Sequence, residues 1–513
     1  MGYIHGGRVA AKAFSKEGVT HVFTLCGGHI QSIYDGCIDE GIRVVDLRHE
    51  QAAAHCAEGW ARATGRPGVA LVTAGPGVTD AATGVANAFR GSVPMVIIGG
   101  QGPRMMQDMG SLQDMNHVDF MKPITKWSVS IPETRRVAEY ISMAFRVAST
   151  GIPGPVFLEY PLDLTMDVVD DDIVLWPKNY RTEALPMGDP QYVEQAVELL
   201  AGAKKAFAIV GSQSWWSRDK DTVREFAAAL KIPVFLNGQG RGALRADDPQ
   251  FLRRVRRQAL AEADVVLIFG TPLDFRLGYG REPTFGPNIK VVQIDMDAKE
   301  IGRNRPIDVG IVGDTGLVMR QILEACRGKS LDFSPFLKGL REQETARDEK
   351  MMPERLSDAK PVNPLRLAHE MNKCLTEDSI VIGDGGDIVA TGANVFDIYR
   401  QGHWMDPGPL GTLGVGPSYA IAAKLANPDK QDAKCDKCTD ARKDQKILGM
   451  TIIEGVKKAA GEDYWDGGTI LDPNKGETYK VRMTPVDGGK KLEVRGYVGM
   501  PLLGRTQTWI RVE

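Results

Sequence analysis

From residue 1 to about 168, short apolar runs ending in glycine or a polar turn alternate with helix-like stretches. The runs are THVFTLCGG, IRVVDL, GVALVTAGPG, VPMVIIGG and GPVFLEYPLDL. Strands this apolar, interleaved with helices, predict a parallel sheet covered on both faces. An acidic, proline-containing stretch at about 166–190 reads as a linker. From 190 to 330 the pattern returns as KAFAIVGS, IPVFLNGQG, ADVVLIFGTP, KVVQIDMDA and VGIVGD, a second α/β domain. A charged helical region, LKGLREQETARDEKMMPERL, leads into a third α/β start at 361–430. Beyond it the texture changes: QDAKCDKCTDARKDQK is charged and free of glycine, and a helical patch is expected at ILGMTIIEGVKKAAG. Residues 464–513 then alternate with period two around Asp487-Gly488, which predicts a small antiparallel β-sheet. The expected fold class is therefore α/β in parallel-sheet domains, followed by an antiparallel β segment at 431–513.

A length of 513 residues suits about three or four domains. Lys and Arg (63) nearly balance Asp and Glu (66), for a net charge of -3, so nothing points to nucleic acid or an acidic membrane. Small molecules and other subunits are the expected partners. No apolar run is long enough to span a bilayer, and MGYIHGGRVAAKAF carries no apolar signal core, which makes the cytoplasm the expected location. Cys26, Cys37, Cys56, Cys326 and Cys374 are scattered through apolar segments and read as buried thiols. Cys435 and Cys438 form a lone CxxC, and zinc would want a second ligand pair, so a disulfide or two inert thiols is the preferred reading.

Three stretches carry candidate chemistry. In IRVVDLRHEQAAAHCAEGWARATG a strand runs into His49-Glu50 and an alanine-rich helix, so Glu50 sits at a helix start near the carboxyl edge of a sheet. The alternative is a first-turn glutamate favoured by the helix dipole. A HExxH zinc site is excluded because position 53 is alanine. In GVALVTAGPGVTDAATG, a turn at Gly75-Pro76-Gly77 precedes a helix expected from Thr79, and its free N–H groups face a ligand or a neighbouring backbone. In VIGDGGDIVATGAN, Gly383-Asp384-Gly385 places a carboxylate at a strand end, where a metal-binding turn and a structural carboxylate look alike.

Together these blocks resemble the thiamine-diphosphate-dependent carboligase and lyase family over residues 1 to about 430, most closely acetolactate-synthase-like proteins of the 2-hydroxyacyl-CoA lyase kind. The matching phrases are FTLCGGHI, IRVVDLRHE, ALVTAGPGVT, ITKW, GPVFLEYP, GTPLDFRLGYGR, VIGDGGDIVATGAN and WMDPGPLGTLGVG. The resemblance implies a pyrimidine-binding domain at 1–168, a central domain at 190–330 and the opening of a diphosphate-binding domain at 361–430. It implies that Glu50 hydrogen-bonds N1′ of the cofactor's aminopyrimidine, with His29 on the substrate side and Gln113 reaching towards the reacting centre. Gly28, Gly75, Pro76 and Gly77 would line the cofactor. In the 409–416 loop, the Gly411 carbonyl would accept from N4′ beside Thr412, and Leu413 would wedge the cofactor into its bent shape. For His29 a hydrogen-bonded turn histidine, and for Gln113 a surface loop residue, remain the alternatives. The implied cofactors are thiamine diphosphate and Mg2+, and the implied substrates are a 2-oxo acid or a 2-hydroxyacyl-CoA. The implied assembly is a homodimer or homotetramer with the cofactor between subunits. GTPLDFRLGYGR resembles a segment that lies along FAD in flavin-containing relatives; FAD or another nucleotide is disfavoured here, with structural use of Arg276 and Arg281 preferred.

The same resemblance exposes a gap. The family's metal motif is a second Gly-Asp-Gly after the GTLG loop, followed by an Asn pair, which form the oxygen-rich cage Mg2+ requires. No Gly-Asp-Gly and no Asn pair follows residue 431. The third domain is therefore expected to be truncated, with no metal ligands of its own. Residues from about 431 to 513 resemble instead the carboxyl-terminal part of a small bacterial β-domain family of unknown function. Two readings follow: an enzyme impaired in metal binding, and a non-catalytic hybrid of two incomplete proteins joined near residue 431.

Overall fold

The computed structural model describes residues 2–428, 434–435, 437–447, 449–473, 475–501 and 504–510. The join expected near residue 431 lies outside them. The chain forms two compact units, Met1–Ala423 and Lys424–Glu513.

The first unit opens with β1 (Tyr3–His5) and then builds a six-stranded parallel sheet from β2 (His21–Thr24), β3 (Arg43–Asp46), β4 (Gly68–Val72), β5 (Met95–Gln101), β6 (Trp127–Ser130) and β7 (Pro155–Pro161). Its order is β3-β2-β4-β5-β7-β6. The central strands β4 and β7 are buried at every residue, which is why they read as unbroken apolar runs. The sheet agrees with the sequence except at its edge, where β6 has only half-buried residues and too weak a pattern to announce itself. The stretch expected to be a linker is partly integral: β8 (Val168–Asp170) returns antiparallel to β1, Lys12 Nζ grips Asp171 at 2.7 Å, and Val174 enters the core.

The second sheet contains β9 (Ala206–Val210), β10 (Val234–Leu236), β11 (Val265–Phe269), β12 (Lys290–Asp295) and β13 (Val309–Val312). All are parallel, in the order β10-β9-β11-β12-β13, with apolar cores on both faces. The charged region is a helix, Ser334–Arg355. Beyond it lie the helices Pro364–Lys373, Asp387–Val395 and Gly416–Ala426, with one short parallel pair, β14 (Val381–Ile382) and β15 (Trp404–Met405). A small core of Met405, Val415, Tyr419 and Ala423 packs against Ala63, Ile380 and Ile382.

A buried polar cluster ties this third part to the first sheet domain. Glu58 and Arg62 are 0% and 3% exposed on the Glu50–Thr64 helix, joined by Arg62 Nη2 at 2.7 Å from Glu58 Oε1. Asn87 Nδ2 donates to Glu58 Oε2 at 2.9 Å and to the Tyr419 hydroxyl at 3.1 Å, and Cys56 Sγ donates to the Ser418 carbonyl at 3.2 Å. Gly59 allows this approach, because a Cβ there would lie 3.0 Å from Tyr419.

The second unit is an antiparallel sheet: β16 (Ile453–Glu454), β17 (Lys457–Lys458), β18 (Trp465–Asp472), β19 (Glu477–Val486), β20 (Lys491–Tyr497) and β21 (Arg505–Ile510). The Asp487-Gly488 turn joins β19 to β20 as expected. The helical patch expected at 447–461 is instead the short strands β16 and β17. Gly449, Gly455 and Gly461 take positive φ (84°, 72° and 79°), which breaks any helix there, and Ile452-Ile453 favour extended backbone. Cys435 and Cys438 form a disulfide and are buried with Leu471. Two of the other cysteines correct the expectation of burial: Cys26, just past β2, and Cys374, capping a helix, are exposed. Burial pushes the Cys37 and Cys56 thiols up to about 12.

Candidate functional site

The carboxyl ends of β2, β4 and β5 bring one half of the expected site together. The helix Glu50–Thr64 begins where β3 ends, and His49 caps it by accepting from the Gln51 N–H at 3.1 Å. Glu50 is 7% exposed, and its Oε1 lies 3.5 Å from where a Cβ on Gly77 would stand. The Pro76–Gly91 helix starts three residues earlier than Thr79, because Pro76 takes the first helical position, where its missing N–H costs nothing. Gly75 holds φ at 55°, and a Cβ there would come within 2.8 Å of the Gln113 Cβ. Only glycine serves at that position. Gly28 and Pro76 are exposed at the mouth.

Thr73, which the sequence did not signal, organises His29 and Gln113. Its hydroxyl donates to Gln113 Oε1 at 3.3 Å, and its Oγ1 lies 3.0 Å from His29 Nδ1. One hydroxyl carries one proton, so His29 Nδ1 is the donor and Nε2 keeps a free lone pair. Burial, and secondarily His117, hold the His29 imidazole below its ordinary value, which keeps it neutral. A second network fixes the turn itself: the Gly75 N–H donates to His117 Nε2 at 2.8 Å, so His117 Nδ1 carries its proton towards Glu159 Oε2 at 3.0 Å. Gln101 Nε2 donates to the same Glu159 oxygen at 3.2 Å. The readable signal for this pair was a charge, Glu159, inside the apolar run GPVFLEYP. Its partner lies 42 residues away and left no local trace.

His49, Glu50 and Asp80 bring ligand atoms within 4.8 Å of one another. His49 Nδ1 is already the helix cap, so a neutral ring carries its proton on Nε2 and has no lone pair to give a metal. The trio is a helix start, not a metal centre.

The structure does not bring Gly411, Thr412 and Leu413 to Glu50 within one chain. A Cβ on Gly408, at the head of that loop, would stand 3.5 Å from Arg62 Nη2, and Tyr419, just after the loop, sits against Gly59. At 1.5 Å per residue, Arg62 is about 18 Å along the helix from Glu50. The loop is therefore at the other end, with Gly411 and Leu413 exposed. Asp384 holds it in shape: Oδ1 accepts from the Gly414 N–H at 2.8 Å and Oδ2 from the Gly416 N–H at 2.9 Å. Asp384→Ala is expected to cost about 1.5–3 kcal/mol, read by urea unfolding, with faster proteolysis at 411–416. Unchanged stability and cleavage would remove Asp384 from this role.

In the central domain, Arg276 Nη2 pairs with Asp274 Oδ2 at 2.6 Å and Arg281 Nε donates to the Asn304 carbonyl at 3.2 Å. Both arginines are used by the fold. At the carboxyl edge of that sheet, Asp295 Oδ2 and both side-chain polar atoms of Gln239 are buried without a hydrogen-bond partner among the described residues. Burial pushes the Asp295 carboxyl up to about 6. These groups suit a ribose or a ring edge, while Arg276 is paired with Asp274 and Arg281 gives its Nε to the Asn304 carbonyl.

Comparison with known proteins matches two stretches of this chain to one enzyme family and a third to another family. Residues 4–121 match the thiamine pyrophosphate enzyme N-terminal TPP binding domain, and residues 193–322 match the thiamine pyrophosphate enzyme central domain. Residues 402–511 match an uncharacterized protein family conserved in bacteria, DUF2147. The acetolactate synthase large subunit IlvG of Mycobacterium tuberculosis is 36% identical over 437 residues, 83% of this chain and 77% of that protein. The 2-hydroxyacyl-CoA lyase 2 of Danio rerio is 34% identical over 467 residues, and that of Homo sapiens 33% over 470, each covering 83% of this chain and 74% and 73% of the relative. Among the described residues, no helix is long and apolar enough to cross a membrane.

Proposed function

Because this chain belongs to the thiamine pyrophosphate-dependent enzymes, with acetolactate synthases and 2-hydroxyacyl-CoA lyases among its relatives, we propose that Glu50 is its cofactor-activating carboxylate. Thiamine diphosphate, with the Mg2+ typical of the family, supplies when bound a nucleophilic carbon and an electron sink for making or breaking a C–C bond beside a carbonyl. Glu50 would hold and exchange the proton on N1′ of the aminopyrimidine, a role its burial at a helix start supports. Gly28, Gly75 and Gly77, with the compact ring of Pro76, would give the aminopyrimidine a surface with few side chains in its way. His29 Nε2 is a neutral base on the substrate side, and Gln113 is held beside it through Thr73. The substrate class is a 2-oxo acid or a 2-hydroxyacyl-CoA.

The proposed assembly is at least a homodimer. The Glu50 half and the Gly411–Leu413 half lie at opposite ends of the same helices, so each needs the complementary half of a second copy. A concentration-dependent sedimentation coefficient supports this; a strict monomer at high concentration overturns it.

This chain as it stands is impaired. The residues fit the aminopyrimidine half of the cofactor and not its diphosphate half, since no Gly-Asp-Gly and no Asn pair follows residue 431. That observation carries the conclusion. A calorimetric titration of the full chain with thiamine diphosphate and Mg2+ is expected to show no EDTA-sensitive binding, and tight, EDTA-sensitive binding would refute it. The stronger form is a non-catalytic hybrid of two incomplete proteins. One continuous reading frame across codons 425–440 in an independent isolate would sink the reading of the join as an artefact.

A further inference from the structure

The helix Ser334–Arg355, the 251–254 segment and the helices Pro364–Lys373 and Asp387–Val395 enclose a cavity of about 290 Å³. No residue assigned above to the cofactor lines it. Three of its arginines have structural employment. Arg253 donates to the Val395 carbonyl at 3.0 Å and to Asp397 at 2.9 Å, and Arg254 Nε to the Asn394 carbonyl at 3.0 Å. These two close the carboxyl end of the 387–395 helix, where cations and donors are favoured. Arg341 donates to the Pro249 and Phe251 carbonyls at 2.8 and 2.7 Å.

Arg355 has no such account. Its side chain is 7% exposed, and its Nε finds no hydrogen-bond partner among the described residues. Nη1 reaches only the Met352 sulfur at 4.0 Å. Nη2 lies 2.7 Å from Asp348 Oδ1, at an angle that makes an ion pair without a hydrogen bond. The same Asp348 oxygen also serves Arg254 Nη1 at 3.2 Å, so one carboxylate faces two guanidiniums. Around the cavity four arginines meet three carboxylates, Glu344, Asp348 and Asp397. The Arg254 guanidinium is held below its ordinary value by burial first and by the Arg253 charge next, as crowding of like charges requires. A buried guanidinium with idle donors and incomplete charge pairing is costly unless something completes it. Water fits at about 30 Å³ per molecule, but water brings no negative charge.

We propose that this cavity binds a phosphate-class oxyanion, gripped by Arg355 and Arg254. Guanidinium forks match such oxygens in pairs, and the volume takes one phosphate with a few waters. The occupant would join the central domain to the helices of the third part, since the walls come from both.

The test is a calorimetric titration of the full chain with inorganic phosphate at constant ionic strength, against chloride. One saturable site per chain is expected, weakened at least tenfold in Arg355→Met and unchanged in Arg135→Met, an exposed arginine paired with Glu133. A parallel titration with AMP separates the sources: tighter inorganic phosphate means a free ion, and tighter AMP means a phosphoryl group on a larger ligand. Absence of saturable binding by either, or binding unaffected by Arg355→Met, overturns the proposal. If Arg355→Met fails to fold, Arg254→Met, the other half of the proposed grip, is read in the same way.

Discussion

Continuing residues 1–428 with the complete carboxyl-terminal part of a relative is expected to create EDTA-sensitive thiamine diphosphate binding at least a hundredfold tighter than in the present chain. That is about 2.7 kcal/mol of binding free energy. The proposed pyrimidine side would draw on the buried Glu50, the Gly75 turn and His29. On the proposed reading, what this chain would need is a hard-cation cage for two phosphates, built of carboxylate and amide oxygens at the right spacing. Within the continued protein, Glu50→Gln should lower turnover by about 10²–10⁴-fold, the range for losing a positioned acid or base. Cofactor binding should fall far less, because Gln keeps the size and one acceptor of the side chain. A folded, dimeric continuation that still fails to bind would show that the first 428 residues are themselves defective. Full turnover in Glu50→Gln would remove the carboxylate from its role.

Glu58→Ala is expected to destabilise the first unit by about 3–5 kcal/mol, the cost of leaving a buried charge without its partner. Arg62 would lose both of its hydrogen bonds to Glu58 while remaining enclosed by Tyr419 and Gly91. Burial alone would raise the Glu58 carboxyl, but Arg62, His55 and Asn87 together outweigh it and hold it below its ordinary 4.5. A carboxyl depressed in the folded state contributes stability above its unfolded value and loses it as pH falls through the folded one. Acid unfolding of the wild type should therefore include a step below pH 4.5 that Glu58→Gln lacks. Urea unfolding at neutral pH measures the first effect. A loss under about 1 kcal/mol, the ordinary size for a surface pair, would mean that the cluster is not closed.

The two parallel sheets were legible because strands buried on both faces are apolar at nearly every position, as in GVALV and PVFLEYP. Strand β6 was not, because an edge strand with half-buried residues has neither a continuous run nor a clean alternation. In the second unit, ILGMTIIEGVKKAAG carries helix-compatible spacing and lysines, yet three glycines at positive φ decide for extended backbone. Glu50 and the Gly75-Pro76-Gly77 turn could be located because both sit at junctions of strand and helix. Thr73 and His117 could not: each is ordinary within its own segment, and Glu159, though a charge in an apolar run, named no partner until the fold set His117 beside it. The Glu58 and Arg62 pair shows the same limit. Four residues apart on a helix, it reads as a surface pair until Tyr419, 332 positions from Asn87, closes over it.

The separation of the two half-sites along the helices implies a rule of complementation. In a two-fold dimer each chain would lend its glutamate end to one site and its loop end to the other, so a defect in the diphosphate segment disables one site and spares its twin. Mixed with a complete relative that accepts it as a partner, this polypeptide would form pairs with a single working centre. Counting bound cofactor per dimer would read one in the mixed pair, two in the complete one and none in the pure one. A count of zero in the mixed pair would break the rule.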